Sequence, residues 1–439
     1  MEHMETTAYR SDANFFPTSE WKSGRRVKYV KTSPKTGLLL VEWDDDVIER
    51  TMTVQSPSEK RARTTLCGSS TSYPYIWLRD FCHCEECFDE KSETKRTNLQ
   101  DLDINVAIED ASVDGNGSRV SIRWSDGHAS IYPAAWLWCH QFLDTKVDPF
   151  IDMPQEIWNS DTIPTRLQKF NYDAIMTSDK VMCDWLMQVK VLGLALIENA
   201  PQRTGTLREI GRRVGYLKDC NFGLESSVYA PTDPSNPDYT AGNLYFHTDL
   251  TYYLQQPGIE LLHCIKQFKG VGGDSTLVDG FNVATRLKAK DPEAFEALST
   301  QEVEFYQNGL REHGKYFQLA RNKIIRLNSL GELEQISYSN HSRTSVLRMP
   351  VEKVGKFYKA MKLFIDLLYD PENMFLYKMK PGDILVMNNF RVLHGRKGFT
   401  MEEGSERHLQ TGYMDWDLVY SKLRVLRSRV DKLGMKGEF

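Results

Sequence analysis

The chain has 439 residues and a formal net charge of −5, with 41% hydrophobic and 26% charged residues, an ordinary balance for a globular protein of two or three domains. With no long Lys/Arg block and no apolar run near the ~20 residues that span a bilayer, neither nucleic acid nor a membrane is the expected partner. Glu2, Glu5 and Asp12 without an apolar stretch speak against a secretory signal, so the eight cysteines read as reduced thiols or metal ligands and the expected compartment is the cytoplasm.

In chain order, residues 27–30 and 38–43 flank a Ser-Pro-Lys-Thr-Gly turn and predict a hairpin. Residues 120–124 and 129–132 flank Ser125-Asp126-Gly127 and predict another. The polar stretch 50–72 reads as an irregular loop, and residues 143–170, apolar without period, as a linker. Ser178 or Asp179 can cap a helix whose Val181, Met182, Trp185, Leu186 and Val189 share one face, with Gly193 ending it and residues 194–197 following as a buried strand. Thr206 and Glu209 have capping-box spacing, and Gly215 stands where that helix would stop. Strand and turn texture runs from 239 to 282, a helix is predicted at 351–368, and Pro381-Gly382-Asp383 turns into strands at 384–387 and 392–394. Strands interleaved with helices fit a β-barrel or jelly-roll core decorated by helices.

Two groups of residues carry metal chemistry. Cys82, Cys84 and Cys87 lie within six residues, so their sulfurs can converge on one borderline cation. A fourth ligand would close a tetrahedral structural zinc site, and His128, presented by the Ser125–Gly127 turn, suits that place better than His83, crowded between two of the cysteines. In the second group, His247 and Asp249 would share one face of a strand, and His394 on a partner strand would complete three facial ligands. Two imidazoles and one carboxylate leave three octahedral positions open, the arrangement of iron(II) oxygenases. His-x-Asp alone is a weak motif. Arg407, 13 residues after His394, adds a guanidinium suited to a terminal carboxylate; its bland alternative is a surface pair with Glu403 or Glu406. His140, His263, His313, His341 and His408 lack such spacing partners and read as packed or solvated residues.

With these residues in view the chain resembles the γ-butyrobetaine dioxygenase and trimethyllysine dioxygenase family of iron/2-oxoglutarate oxygenases. The likeness runs from about residue 25 through Trp77-Leu78-Arg79-Asp80, the cysteine cluster and His128, then His247-Thr248-Asp249, Pro257-Gly258, Leu261 to Lys266, Gly272-Gly273-Asp274, Lys380 to Asp383, Leu393 to Arg396, Arg407 and Asp415-Trp416-Asp417. It implies an α+β, mainly β fold: a small N-terminal zinc-binding β-domain at 1–142, a linker at 143–170, and at 171–439 a distorted double-stranded β-helix (jelly roll) with flanking helices. It further implies Fe(II) on His247, Asp249 and His394, with O2 as co-substrate. It implies 2-oxoglutarate on Arg407, Zn(II) on Cys82, Cys84, Cys87 and His128, ascorbate as reductant, and a homodimer.

Family members grip a trimethylammonium group with aromatic rings through cation–π attraction, roughly 0.5–2 kcal/mol per ring. Tyr239 and Tyr413 occupy two such positions, and Asn236 a position at the substrate carboxylate. The sequence departs from the butyrobetaine pattern at Phe222, where a Tyr is usual, at Ser226, where a Trp is usual, and at Ser339, where an Asn is usual; Tyr229 is the ring near the missing indole. Three readings stay open at this point: a γ-butyrobetaine hydroxylase making L-carnitine, a hydroxylase of trimethyllysine or another betaine or amino-acid derivative, and a zinc-stapled binding protein without catalysis.

Overall fold

Val27–Ser33 and Leu38–Trp43 pair antiparallel as the expected hairpin, and Ser70–Pro74 adds a third strand. In the computed structural model, residues 26–44, 70–142, 150–151, 153–230, 241–311 and 314–432 are described, so the polar stretch read at 50–72 lies outside them up to residue 69. The chain falls into two units, the first ending at Asp148 and the second spanning Pro149–Val430.

The first unit holds a second three-stranded sheet of Ile108–Val113, Arg119–Trp124 and Ala129–Pro133. Arg119–Trp124 alternates strictly, so Val120, Ile122 and Trp124 point inward and Arg119, Ser121 and Arg123 outward. The inward side chains pack with Leu39, Val41, Trp43, Tyr73 and Leu78 into one core. Tyr73 and Tyr132 bury their rings there and donate their hydroxyls to the Leu137 and Leu78 carbonyls.

The second unit is built on two facing sheets. The larger has six strands in the order Ser226–Ala230, Arg407–Met414, Ile259–Lys266, Ile384–Asn388, Leu194–Glu198, Lys169–Asn171. The smaller has four, in the order Leu244–His247, Val392–Arg396, Ser275–Asp279, Met374–Tyr377. Leu196, Cys264, Leu385 and Leu409 from the first sheet meet Leu277 and Val392 from the second between them, which is the jelly-roll interior. Outside the large sheet, Asp179–Leu192, Thr206–Val214 and Trp416–Lys432 supply apolar side chains to a second core. Gly280–Lys290, Pro292–Thr300 and Val351–Leu368 supply a third beside the small sheet. Among the described residues no helix is long and apolar enough to cross a membrane.

Asp179–Leu192 shows how local signals set the scaffold. Ser178 Oγ accepts the Val181 N–H, and Gly193 ends the helix at φ 74°. Met182, Trp185, Leu186 and Val189 are fully buried, each burial stabilising by about 1.5–3 kcal/mol. Any side chain at Gly193 would be strained by its φ and would press on Arg391, 3.0 Å from the Cβ position. Thr206–Val214 departs from expectation. Gly205 is its N-cap, Thr206 donates to the Pro201 and Arg203 carbonyls, and Glu209 pairs with Arg203 and Tyr172, so no capping box forms. The Arg208 N–H is satisfied instead by Glu225, from outside the helix.

The linker reading of 143–170 also needs correction. Residues 143–149 lie outside the described ones, but Trp158 and Ile163 are buried in the sandwich core. Trp158 donates its indole N–H to the Leu192 carbonyl and its backbone N–H to Asp279. Lys169–Asn171 pairs parallel with Leu194–Glu198. Single apolar anchors on turns and one helical turn leave no period to read, although they are core.

Candidate active site

The chemistry-bearing residues of the second unit meet between the two sheets. His247 ends Leu244–His247 and sits directly opposite His394 in Val392–Arg396, so strand register brings the imidazoles together with ring centroids 4.3 Å apart. Both are buried. Asp249 arrives by another route than expected. The strand stops at His247, Thr248 N–H bonds to the Tyr338 carbonyl, and Leu250 takes φ 56°, so Asp249 sits in a turn and not on an alternating strand face. Fully buried Asn389 holds that turn, accepting the Asp249 N–H at 2.8 Å and donating to the Asp249 carbonyl at 3.0 Å; Gln256 donates to the same carbonyl.

The donor atoms of His247, Asp249 and His394 all lie within 4.8 Å of one another. Asp249 Oδ1 is 3.2 Å from His247 Nε2 and 3.8 Å from His394 Nε2, and its Oδ2 accepts the Tyr413 hydroxyl at 2.6 Å. Nδ1 of His247 faces the Tyr245 carbonyl at 2.8 Å; placing the proton there leaves Nε2 as the donor pair for a metal. Burial, then the His247 ring, pushes His394 down to about 3, which keeps it neutral with a lone pair at physiological pH. Burial alone would raise the Asp249 carboxyl, but the hydrogen bond to His247 and the neighbouring imidazoles hold it below the ordinary range. A borderline cation fits this set: two neutral nitrogens and one ionised carboxylate, with side-chain rotation held from behind.

Arg407, at the start of Arg407–Met414, is buried and lines the same cavity as His247, Asp249 and His394. Glu406, one of its two expected surface partners, pairs with Lys266 instead. Arg396 lines the cavity too, and both guanidinium carbons lie 4.8–5.6 Å from the Phe399 ring. Phe222, Ser226 and Tyr413 form another part of the wall. Tyr229 points out of this cavity and stacks on His408 at 4.2 Å, so it does not replace the indole missing at Ser226. Arg311 lies over the Phe222 ring at 4.9 Å. Asn236 and Tyr239 lie outside the described residues, as does His313. Ser339 bridges to His247 through the backbone, and its hydroxyl is 3.2 Å from His341.

Of the histidines set aside, His263 is fully buried, with burial pushing it down to about 4, and His408 contacts Ser227. His341 stands closer to the centre than its spacing suggested, its ring 5.2 Å from that of His247. Glu260, buried in the largely apolar Ile259–Lys266 strand, also lines the cavity. An acid in such a strand is itself a signal, and sequence reasoning passed over it.

In the first unit, the sulfurs of Cys82, Cys84 and Cys87 lie 3.3, 3.4 and 3.5 Å from His128 Nε2. The turn presents His128 as expected: Gly127 takes φ 81° and Asp126 accepts the His128 N–H. His83 turns away, its Nδ1 on the Phe81 carbonyl and its ring 4.6 Å from Phe88. Burial, then the Cys82 charge, pushes the Cys87 thiol up to about 12. Three thiolates in so small a space call for a cation, and three sulfurs with one imidazole are the donor set of a closed zinc site.

Known proteins place these geometries in context. The model of the taurine catabolism dioxygenase TauD, TfdA family matches residues 159–413, and that of the gamma-butyrobetaine hydroxylase-like N-terminal region matches residues 30–138. Gamma-butyrobetaine dioxygenase of Homo sapiens is 35% identical over 82% of this chain and 92% of its own length. That of Pseudomonas sp. (strain AK-1) is 30% identical over the same shares. Mitochondrial trimethyllysine dioxygenase of Rattus norvegicus is 29% identical over 81% of this chain and 82% of its own.

Proposed function

This chain belongs to the TauD, TfdA dioxygenase family and within it to the γ-butyrobetaine dioxygenases, and from that premise we propose that it hydroxylates γ-butyrobetaine to L-carnitine with Fe(II) on His247, Asp249 and His394. The observation that carries the reading is the convergence of those donors in one buried cavity with the Arg407 guanidinium. When bound, the ferrous ion supplies the activation of dioxygen, with 2-oxoglutarate as the co-substrate that ends as succinate and CO2.

The chain's own residues position the reactants. Arg407 takes the distal carboxylate of 2-oxoglutarate as a charge-assisted pair in a site shielded from water. Phe222 and Tyr413 offer ring faces to the trimethylammonium group. The Tyr413 hydroxyl is committed to Asp249, so this ring serves substrate and metal ligand at once. Burial and the neighbouring Asp249 charge push that phenol well above its ordinary range, which keeps it a donor. Tyr239 and Asn236 complete the reading as a further ring and a carboxylate contact. Cys82, Cys84, Cys87 and His128 hold a structural zinc that staples the N-terminal unit. A homodimer, a cytoplasmic location and ascorbate as reductant belong to the proposal on the sequence and family resemblance alone.

The test is succinate release with γ-butyrobetaine, trimethyllysine and related betaines side by side. The highest kcat/KM is expected for γ-butyrobetaine, with L-carnitine as product; a preference for trimethyllysine would move the substrate assignment, and release with none of them would overturn it. Arg407→Ala is expected to raise the apparent KM for 2-oxoglutarate at least about tenfold, since a hydrogen-bonded charge pair is worth roughly 1.5–3 kcal/mol; an unchanged KM would reassign the anchor. Cys84→Ser is expected to lose zinc by elemental analysis and to destabilise the N-terminal unit. Absence of zinc from the parent protein would contradict the staple.

A further inference from the structure

Glu260 is 2% exposed, a carboxylate in a strand whose neighbouring residues Ile259 and Leu261 are core. A carboxylate buried to that depth needs polar company. Its Oε2 lies 3.4 Å from Nδ1 of His394, while Nε2 of the same ring faces Asp249 Oδ1 at 3.8 Å. Two carboxylates therefore flank one imidazole, one on the metal side and one behind it. His247 has a different support, the neutral Tyr245 carbonyl at its Nδ1. Glu260 is also the cross-strand partner of Tyr413, whose hydroxyl bonds Asp249, so backbone register sets the two residues side by side.

We propose that Glu260 is a positioning residue for the metal centre: it accepts the Nδ1 proton of His394, fixes the tautomer that leaves Nε2 for iron, and makes that nitrogen the more basic of the two imidazole ligands. The assignment rests on the iron-site reading above. An imidazole that ligates through Nε2 carries its proton on Nδ1, and a carboxylate behind it orients the ring and strengthens its donation. The separation of 3.4 Å is longer than a formed N–H···O bond, so for this role it must shorten when the metal binds. His394 gains a charged support in this way and His247 a neutral one.

The experiment is an anaerobic Mn(II) titration of the full chain without 2-oxoglutarate, with free Mn(II) read by electron paramagnetic resonance. Glu260→Ala is expected to raise the Mn(II) dissociation constant about 10–100-fold, the range for loss of such a support. Glu260→Gln, which keeps an acceptor and the side-chain shape but not the charge, is expected to fall between parent and Glu260→Ala and to alter the line shape of the bound ion. Zinc content should be unchanged in both. A constant within about twofold of the parent in Glu260→Gln and Glu260→Ala alike overturns the assignment, and Glu260→Gln decides alone if Glu260→Ala does not fold. Asp249→Ala separates the two layers: loss of Mn(II) binding there shows that the titration reads this centre, and retained binding would overturn the iron-site reading itself.

Discussion

Asp249→Ala is expected to lower γ-butyrobetaine-dependent succinate release by at least about 10³-fold, a loss of about 4 kcal/mol in transition-state stabilisation, with the fold retained. Asp249 offers the one carboxylate among the three converging ligands and lies closest to both imidazoles through a single oxygen. Its removal leaves two neutral nitrogens, too weak a set for a hard-to-borderline divalent ion. The fold should survive because Asn389 holds this turn through the Asp249 backbone, which alanine keeps. Asp249→Asn, nearly isosteric, separates charge from shape and should fall almost as far. Turnover near the parent level in either variant would remove Asp249 from the metal shell.

The second large effect concerns the scaffold. Asp279→Ala is expected to destabilise the chain by about 3–5 kcal/mol in denaturant unfolding, because it strands a buried guanidinium. Arg391 and Asp279 form a bidentate pair at 2.9 and 2.7 Å, with neither side chain exposed. Arg391 also donates to the Val191 and Glu156 carbonyls, and Asp279 accepts the N–H groups of Phe281 and Trp158. The knot thus ties a helix end, a helix start and the entry of Val392–Arg396, the strand that carries His394. Replacing both partners, Asp279→Leu with Arg391→Met, should recover part of the loss, since no charge is then left unpaired. A loss under about 1 kcal/mol in Asp279→Ala would show that the pair is not holding the strand.

What the sequence made legible was local. Hairpin turns, the Ser178 cap, the Gly193 stop and the long helix at 351–368 stand where residue chemistry placed them, because each depends on neighbours a few positions away. The cysteine loop and the turn under His128 were legible for the same reason, though their meeting, 46 residues apart between Cys82 and His128, is a product of the fold. His394 could be offered as a partner-strand ligand but not selected by spacing, since only strand register sets it opposite His247. Asp249 was located with the wrong cause, a strand face in place of a turn clamped by Asn389. Glu260, Asn389 and the Arg391–Asp279 knot escaped because their partners are distant in the chain and carry no motif. Thr206 failed as a cap because the helix starts one residue earlier, with Gly205 as N-cap and the Thr206 hydroxyl donated to the Pro201 and Arg203 carbonyls.

The most direct measurement is turnover of γ-butyrobetaine under 18O2 with Fe(II) and 2-oxoglutarate, followed by mass spectrometry of both products. The expected result is carnitine and succinate in equal amounts, each carrying one labelled oxygen, with neither above background in Asp249→Ala. Unlabelled carnitine, or succinate formed at the substrate-free rate while γ-butyrobetaine is recovered unchanged, would contradict the assignment of this centre.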